Sequence, residues 1–210
     1  MKRTRIKFCG MTRPGDVRLA CELGIDALGF VFVKTSPRCL AIERLDGLRS
    51  AVSPLVSVVA LFMDQSINDV SAVIRVLQPT MLQFHGREND AYCRRFGLPF
   101  IKSIAMAEDD DAVMEAGKRY PSASAFLLDG HAAGQQGGRG ETFDWTRVPM
   151  LDRPVFLAGG LEPGNVGVAI GTARPCAVDV SSGIESSPGI KDGEKMRKFV
   201  DEVRRADSSE

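Results

Sequence analysis

Short apolar runs alternate along the chain with longer stretches in which apolar residues recur every three or four positions. The runs predict eight strands, at Arg5–Cys9, Ala27–Val31, Val56–Phe62, Met81–Phe84, Phe100–Ser103, Ala125–Leu128, Val155–Leu157 and Ala177–Val180. Each is short and mostly apolar, as a strand buried on both faces of a parallel sheet must be. Between them the spacing predicts helices. Pro14-Gly15-Asp16 opens one that ends at Gly24, and Asn68-Asp69 stands early in another whose Val70, Val73, Ile74 and Leu77 share a face before Pro79. Asp109–Asp111 begins a third and Pro163-Gly164-Asn165 a fourth. A last helix, over Lys191–Arg205, puts Met196, Phe199, Val200 and Val203 on one side and leaves an unstructured tail at 206–210. Strand followed by crossover, eight times in steps of ~25 residues, predicts an α/β fold, a single-domain (β/α)₈ TIM barrel over residues 1–210. A doubly wound open sheet is the competing architecture, and an eighth strand so late in the chain favours closure.

Composition narrows the function. The 210 residues are 44% hydrophobic and 26% charged with zero net charge, which suits a domain with a sizeable core. Neutral charge gives no footprint for nucleic acid or for an anionic membrane. No run approaches the ~20 apolar residues of a membrane span, and Lys2, Arg3 and Arg5 are not followed by the apolar stretch of a signal peptide. The five cysteines are spread out with no C-x-x-C pair, which points to a reducing cytoplasm rather than a disulfide scaffold or thiolate metal site. With only His85 and His131, no metal centre is expected. The expected partner is a phosphorylated small molecule, bound by a monomer or homodimer.

In such a barrel the chemistry lies at the C-terminal ends of the strands. Those positions hold Cys9, Arg38, His85, Asp129, Gly159-Gly160 and Ser181-Ser182-Gly183. Residues two apart on a strand face the same way, so Lys7 should lie beneath Cys9, and Gln83 beneath His85. A cation beside a thiol raises its thiolate fraction, making Cys9 a base or nucleophile, although a buried Cys also serves as a small hydrophobe. Asp129 ends an apolar run and precedes the Gly-rich segment 131–140. Desolvation there favours the protonated carboxyl of a general acid, while a turn cap is the plainer role. Gly159-Gly160 and Ser181-Ser182, after the last two strands, offer N–H groups and hydroxyls where these barrels bind phosphate.

Taken together, these segments resemble the phosphoribosylanthranilate isomerase family. The resemblance is carried by Lys7-Phe8-Cys9-Gly10-Met11-Thr12, Gln83-Phe84-His85-Gly86, Leu128-Asp129, and Gly137-Gly138-Arg139-Gly140 followed by Phe143-Asp144-Trp145. Ala158-Gly159-Gly160-Leu161 with Asn165, and Asp179 through Glu185, complete it, followed by Pro188-Gly189 and Lys191-Asp192. It implies a cofactor-free Amadori rearrangement with Cys9 as general base and Asp129 as general acid. Arg38 is implied to pair with a substrate carboxylate. Phosphate would rest on N–H groups around Gly138, Gly160, Ser181 and Ser182, with Lys7, Gln83 and Gly159 completing the binding set. Asp179 would order its loop, and His85 either lines the pocket or is structural. Cys39, Ala158, Arg139 and Glu141 depart from common family residues. Another phosphosugar barrel, or a non-catalytic phosphate-ligand binder on the same barrel, remains a competing reading.

Overall fold

The structure, a computed structural model, describes residues 3–106, 113–130, 142–149 and 151–209. Eight parallel strands close into a barrel in chain order: β1 (Arg5–Cys9), β2 (Ala27–Val31), β3 (Ser57–Phe62), β4 (Met81–Phe84), β5 (Phe100–Ala105), β6 (Ala125–Asp129), β7 (Val155–Leu157) and β8 (Ala177–Val180). Closure is made by β1 pairing with β8, Lys7 opposite Asp179, which excludes the open sheet. The third strand begins one residue later than expected. The fifth and sixth run on to Ala105 and Asp129, which are paired with each other.

Alternation sorts the strand residues into two cores. Phe8, Leu28, Phe30, Phe62, Phe84, Phe100 and Phe126 face outward and pack under the helices. Val59, Ile101, Ala125 and Leu127 fill the barrel interior, and Cys9, Val31 and Leu61 form an apolar layer nearer its C-terminal mouth. Burying each large side chain contributes ~1.5–3 kcal/mol, so the barrel interior is a packed core rather than a pore, and a ligand must be met at an end of it.

The helices follow their sequence signals. Helix α1 (Pro14–Glu22) has Pro at its start, and Gly24 just beyond takes φ +76°, the left-handed region Gly enters without cost. In Ile67–Leu77 the Ser66 hydroxyl accepts from Asp69 N–H, and Val70, Val73 and Leu77 are buried. Val166–Ala173 follows the Asn165 signal. The helix expected from Asp109–Asp111 begins outside the described residues; Ala116–Arg119 is helical.

Two expectations at the C-terminus are corrected. Lys191 does not start the last helix: it lies in a two-stranded antiparallel ribbon, Glu185–Ser187 with Ile190–Lys191, and Asp192 caps a helix over Gly193–Ser208 by accepting from Glu194 and Lys195 N–H. The tail expected at 206–210 is helical through Ser208, because Asp207 accepts from Thr4 N–H (2.9 Å) and Thr4 Oγ1 (2.7 Å), tying it to the barrel's first strand. Among the described residues no helix is long and apolar enough to cross a membrane.

Candidate active site at the mouth of the barrel

A cleft of about 690 Å³, partly open to solvent, occupies the C-terminal end of the barrel. Cys9, Arg38, His85, Asp129, Gly159, Gly160, Asp179, Ser181 and Ser182 all line it, so strand ends far apart in sequence meet in one place. Lys7 and Gln83 do not line it. They are fully enclosed one step lower in the barrel, under Cys9 and His85 respectively. Gly138, Arg139 and Glu141, with the whole Gly-rich segment, lie outside the described residues.

Cys9 ends β1, and Asp129 ends β6, with β7 and β8 between them on one side of the barrel. Room for the thiol comes from Gly29 on β2. A Cβ there would stand 2.7 Å from Cys9 Sγ, closer than real Cβ contacts come, and a tight 3.1 Å from Lys7 Nζ. Lys7 favours the thiolate of Cys9 in the expected direction, but it is not the largest influence on the thiol. Burial pushes the thiol pKa up, and this outweighs the lowering by Lys7; Asp179 adds to the rise and Lys191 opposes it. Lys7 is itself committed to Asp179, donating to Oδ1 at 2.8 Å, and the side chains are only 2% and 8% exposed. Although desolvation is the largest single influence on Lys7 and lowers its pKa, Asp179 and Cys9 together leave it raised, so the cation persists. Burial pushes Asp179 up, with Lys7 opposing and Asp129 adding to the rise.

Arg38 is likewise less free than its sequence position implied. Its Nε donates to Glu185 Oε1 (2.8 Å) and its Nη2 to Oε2 (2.7 Å), the bidentate geometry in which guanidinium–carboxylate pairs are strongest. Lys191 Nζ donates to the same Oε1 (2.9 Å) and to the Ser181 carbonyl (2.9 Å). Burial alone would raise the Glu185 pKa, but the two cations hold it below the ordinary range. Around Glu185 two basic groups thus meet one carboxylate, although burial lowers the Lys191 pKa, and Arg38 brings a guanidinium to the cleft that suits an anionic group.

The loops after β7 and β8 are built against each other. Gly159 and Gly160 take φ +84° and +61°, a conformation that strains other residues. Gly183, after Ser182, lies so close to the Leu161 carbonyl that a Cβ would come within 1.9 Å of it. Asn165 Nδ2 donates to Gly160 O (2.8 Å) and its Oδ1 accepts from Glu162 N–H (2.9 Å), fixing the Gly160 loop. Ser181 Oγ lines the cleft, is buried and has no hydrogen-bond partner within the described residues. An unpaired buried hydroxyl costs free energy until a ligand satisfies it. His85 also lines the cleft, and Gln83 Nε2 contacts its Nε2 from below. Among the described residues no three His, Cys, Asp or Glu side chains cluster as metal ligands would.

Gly29, Glu185, Lys191 and Asn165 had no assigned role in the sequence reading. A glycine inside a strand was the available signal for Gly29. Nothing local marked Glu185, whose partner Arg38 is 147 residues away.

A thiol and a carboxyl group facing one cleft, beside a guanidinium and an N–H- and hydroxyl-lined loop pair, can move protons on a bound anion. Comparison with known proteins identifies the family. The family model described as N-(5'phosphoribosyl)anthranilate (PRA) isomerase matches residues 6–202. The N-(5'-phosphoribosyl)anthranilate isomerase of Xanthomonas oryzae pv. oryzae is 54% identical over 214 residues, covering 99% of this chain and 96% of that protein. The phosphoribosyl anthranilate isomerase crystal structure from Thermotoga maritima superposes with TM-score 0.86 at 34% identity, covering 96% of this chain and 99% of that one. Another, crystallised with reduced 1-(o-carboxyphenylamino)-1-deoxyribulose 5-phosphate, has TM-score 0.81 at 31% identity, with 96% and 99% coverage. A match that spans barrel, cleft and nearly the whole chain admits one assignment: this chain belongs to the N-(5'-phosphoribosyl)anthranilate isomerase family.

Proposed function

We propose that the chain catalyses the Amadori rearrangement of N-(5'-phosphoribosyl)anthranilate to 1-(o-carboxyphenylamino)-1-deoxyribulose 5-phosphate, with Asp129 as general acid and Cys9 as general base. The observation that carries this reading is that both groups, from β6 and β1, face the same cleft as Ser181 and the Gly159-Gly160 loop. Asp129 protonates the ribose ring oxygen, and the ring opens to an iminium. Cys9 removes the C2' proton, giving an enolamine that tautomerises to the ketone. The substrate's own nitrogen is the electron sink, so the residues present suffice for each proton transfer. Phosphate rests on the N–H groups around Gly138 and Gly160 with the Ser181 and Ser182 loop, and Arg38 faces the aryl carboxylate.

The raised pKa of Cys9 fits this division of labour. A thiolate with a carboxylic acid carries the same total charge as a thiol with a carboxylate. The reactive state of the pair therefore needs only a proton moved from Cys9 to Asp129, with no net ionisation. Lys7, locked to Asp179 beneath the thiol, stabilises the thiolate once it forms. The five free thiols suit a reducing compartment, and we place the protein in the cytoplasm.

The test supplies freshly generated phosphoribosylanthranilate and follows the loss of its fluorescence with EDTA present. Turnover is expected with chelator, and Cys9→Ala and Asp129→Asn should each lose ~100-fold or more in kcat. Near-normal rates in either variant would remove that residue from the mechanism. Binding without turnover in the wild-type protein would favour a non-catalytic binder instead.

A further inference from the structure

Arg38 reaches the cleft as a pinned group. Its stem lies against Gly10, where a Cβ would meet Arg38 Cδ at 2.4 Å, and Gly10 holds φ +73°. Its head is fixed by Glu185 through Nε and Nη2. This side-on pairing leaves Nη1 on the opposite edge, where it donates to no partner among the described residues. The same Glu185 carboxylate takes Lys191, whose side chain is fully enclosed. Glu185 is in turn anchored by its backbone, since its carbonyl accepts from Lys195 Nζ at 2.8 Å.

We propose that Glu185 is a positioning residue for the reaction: by holding Arg38 side-on, with Lys191 on the same carboxylate, it presents the outer edge of the Arg38 guanidinium to the aryl carboxylate of the substrate. The proposal rests on the functional reading above, which supplies that carboxylate. Preorganisation is the physical gain. An unpinned arginine must surrender rotamer freedom on binding, and the pinned one has already done so. Glu185 also neutralises one of two adjacent cations, so that Arg38 and Lys191 can lie side by side without expelling each other from a buried place.

A purely structural ion pair would weaken every ligand alike, whereas a positioning residue acts on the carboxylate alone. The experiment measures calorimetric affinities of the full chain for two ligands. One is reduced 1-(o-carboxyphenylamino)-1-deoxyribulose 5-phosphate, and the other is its analogue with phenyl in place of o-carboxyphenyl. The wild type should prefer the carboxylated ligand. Glu185→Gln should lose ~10-fold or more of that preference while its affinity for the phenyl analogue changes less than ~2-fold. Arg38→Met should lose the preference too, and adding Glu185→Gln to it should remove nothing further. Glu185→Asp keeps the charge but is one methylene shorter; it should fall between wild type and Gln, and it decides the matter alone if Gln does not fold. Equal weakening of both ligands, or an intact preference in the Glu185 variants, overturns the positioning role. A wild type that binds neither ligand overturns the functional reading instead.

Discussion

Among the described residues three lysines are almost completely buried, and two of them, Lys7 and Lys102, behave in opposite ways. Lys7 points inward from β1, and Lys102 points outward from β5 into the layer under the helices, each 2% exposed. Lys7 sits 2.8 Å from a carboxylate that accepts its hydrogen bond, and its pKa is raised. Lys102 donates instead to the carbonyls of Phe84 (3.2 Å), Gly86 (2.7 Å) and Ser103 (3.3 Å), while Glu88, its nearest acid, is 3.8 Å away. Burial therefore wins at Lys102, whose pKa is lowered; it raises both partner acids, Glu88 and Asp179, so the contrast lies in the lysines themselves. The difference teaches where fixed charge is maintained. Coulomb attraction offsets desolvation at Lys7, in direct hydrogen-bonded contact with its acid, whereas Lys191, bonded to Glu185 at 2.9 Å, stays lowered by burial with Arg38 on the same carboxylate adding to the fall. Of the two lysines compared, the interior one, next to the thiol, is the one paired directly with its acid. The outer one serves as a staple between the ends of β4 and β5.

The hardest way to break this contrast is Lys7→Met. It leaves Asp179 buried without its cation, so stability should fall by about 3–5 kcal/mol in urea denaturation. Cys9 loses its nearest stabilising cation, and its alkylation by iodoacetamide, read on the Cys9 peptide, should slow by ~10-fold or more with a matching loss of turnover. Lys7→Met with Asp179→Leu should recover stability but neither alkylation rate nor turnover. Recovery of turnover in the double variant would make the pair structural only.

Lys102→Met should act on the other side of the comparison. Three carbonyls lose a donor and Glu88 loses its cation, so about 1–3 kcal/mol of stability should go. Turnover per folded molecule should stay within ~2-fold, since nothing at Lys102 faces the cleft. A kcat loss comparable to that of Lys7→Met would erase the distinction.

These two residues also mark what the sequence made legible. Cys9, Asp129 and the Gly159-Gly160 and Ser181-Ser182 loops were visible because each ends a short apolar run, and a barrel exposes only strand ends to ligand. Lys7 was correctly placed beneath Cys9 by alternation, yet its charge was assigned to the thiol. Its commitment to Asp179 depends on β1 meeting β8, 172 residues on, and periodicity reports only on neighbours. The Arg38–Glu185 contact was hidden for the same reason. Lys191 was misread as helical because its apolar followers have helical spacing, whereas its ammonium is drawn into the Glu185 ribbon. Lys102 passed unnoticed in an apolar run. Its outward direction follows from alternation with Phe100 and Ile104, but a cage of carbonyls leaves no mark in side-chain pattern.

The smallest effect is also the sharpest, and it is read in alkali. Stability rises with pH wherever the unfolded chain binds more protons than the folded one. For Lys102 the folded pKa is below 10.5, so between the two values the unfolded chain holds the extra proton. Wild-type stability should therefore gain on that of Lys102→Met as pH climbs from neutrality toward 10.5. For Lys7 the folded pKa is above 10.5, and its contribution is complete below that value and fades only as pH rises through the folded one. The stability gap between wild type and Lys7→Met should thus stay level up to about pH 10 and shrink only beyond it. Both gaps are measured with Cys9 and Cys93 replaced by Ala, because these thiols feel Lys7 and Lys102 respectively; subtraction from the matching background then cancels the titration of remote groups. Two gaps that move in the same direction over this range would mean that the two lysines share one electrostatic fate, and that Asp179 does not hold Lys7 charged.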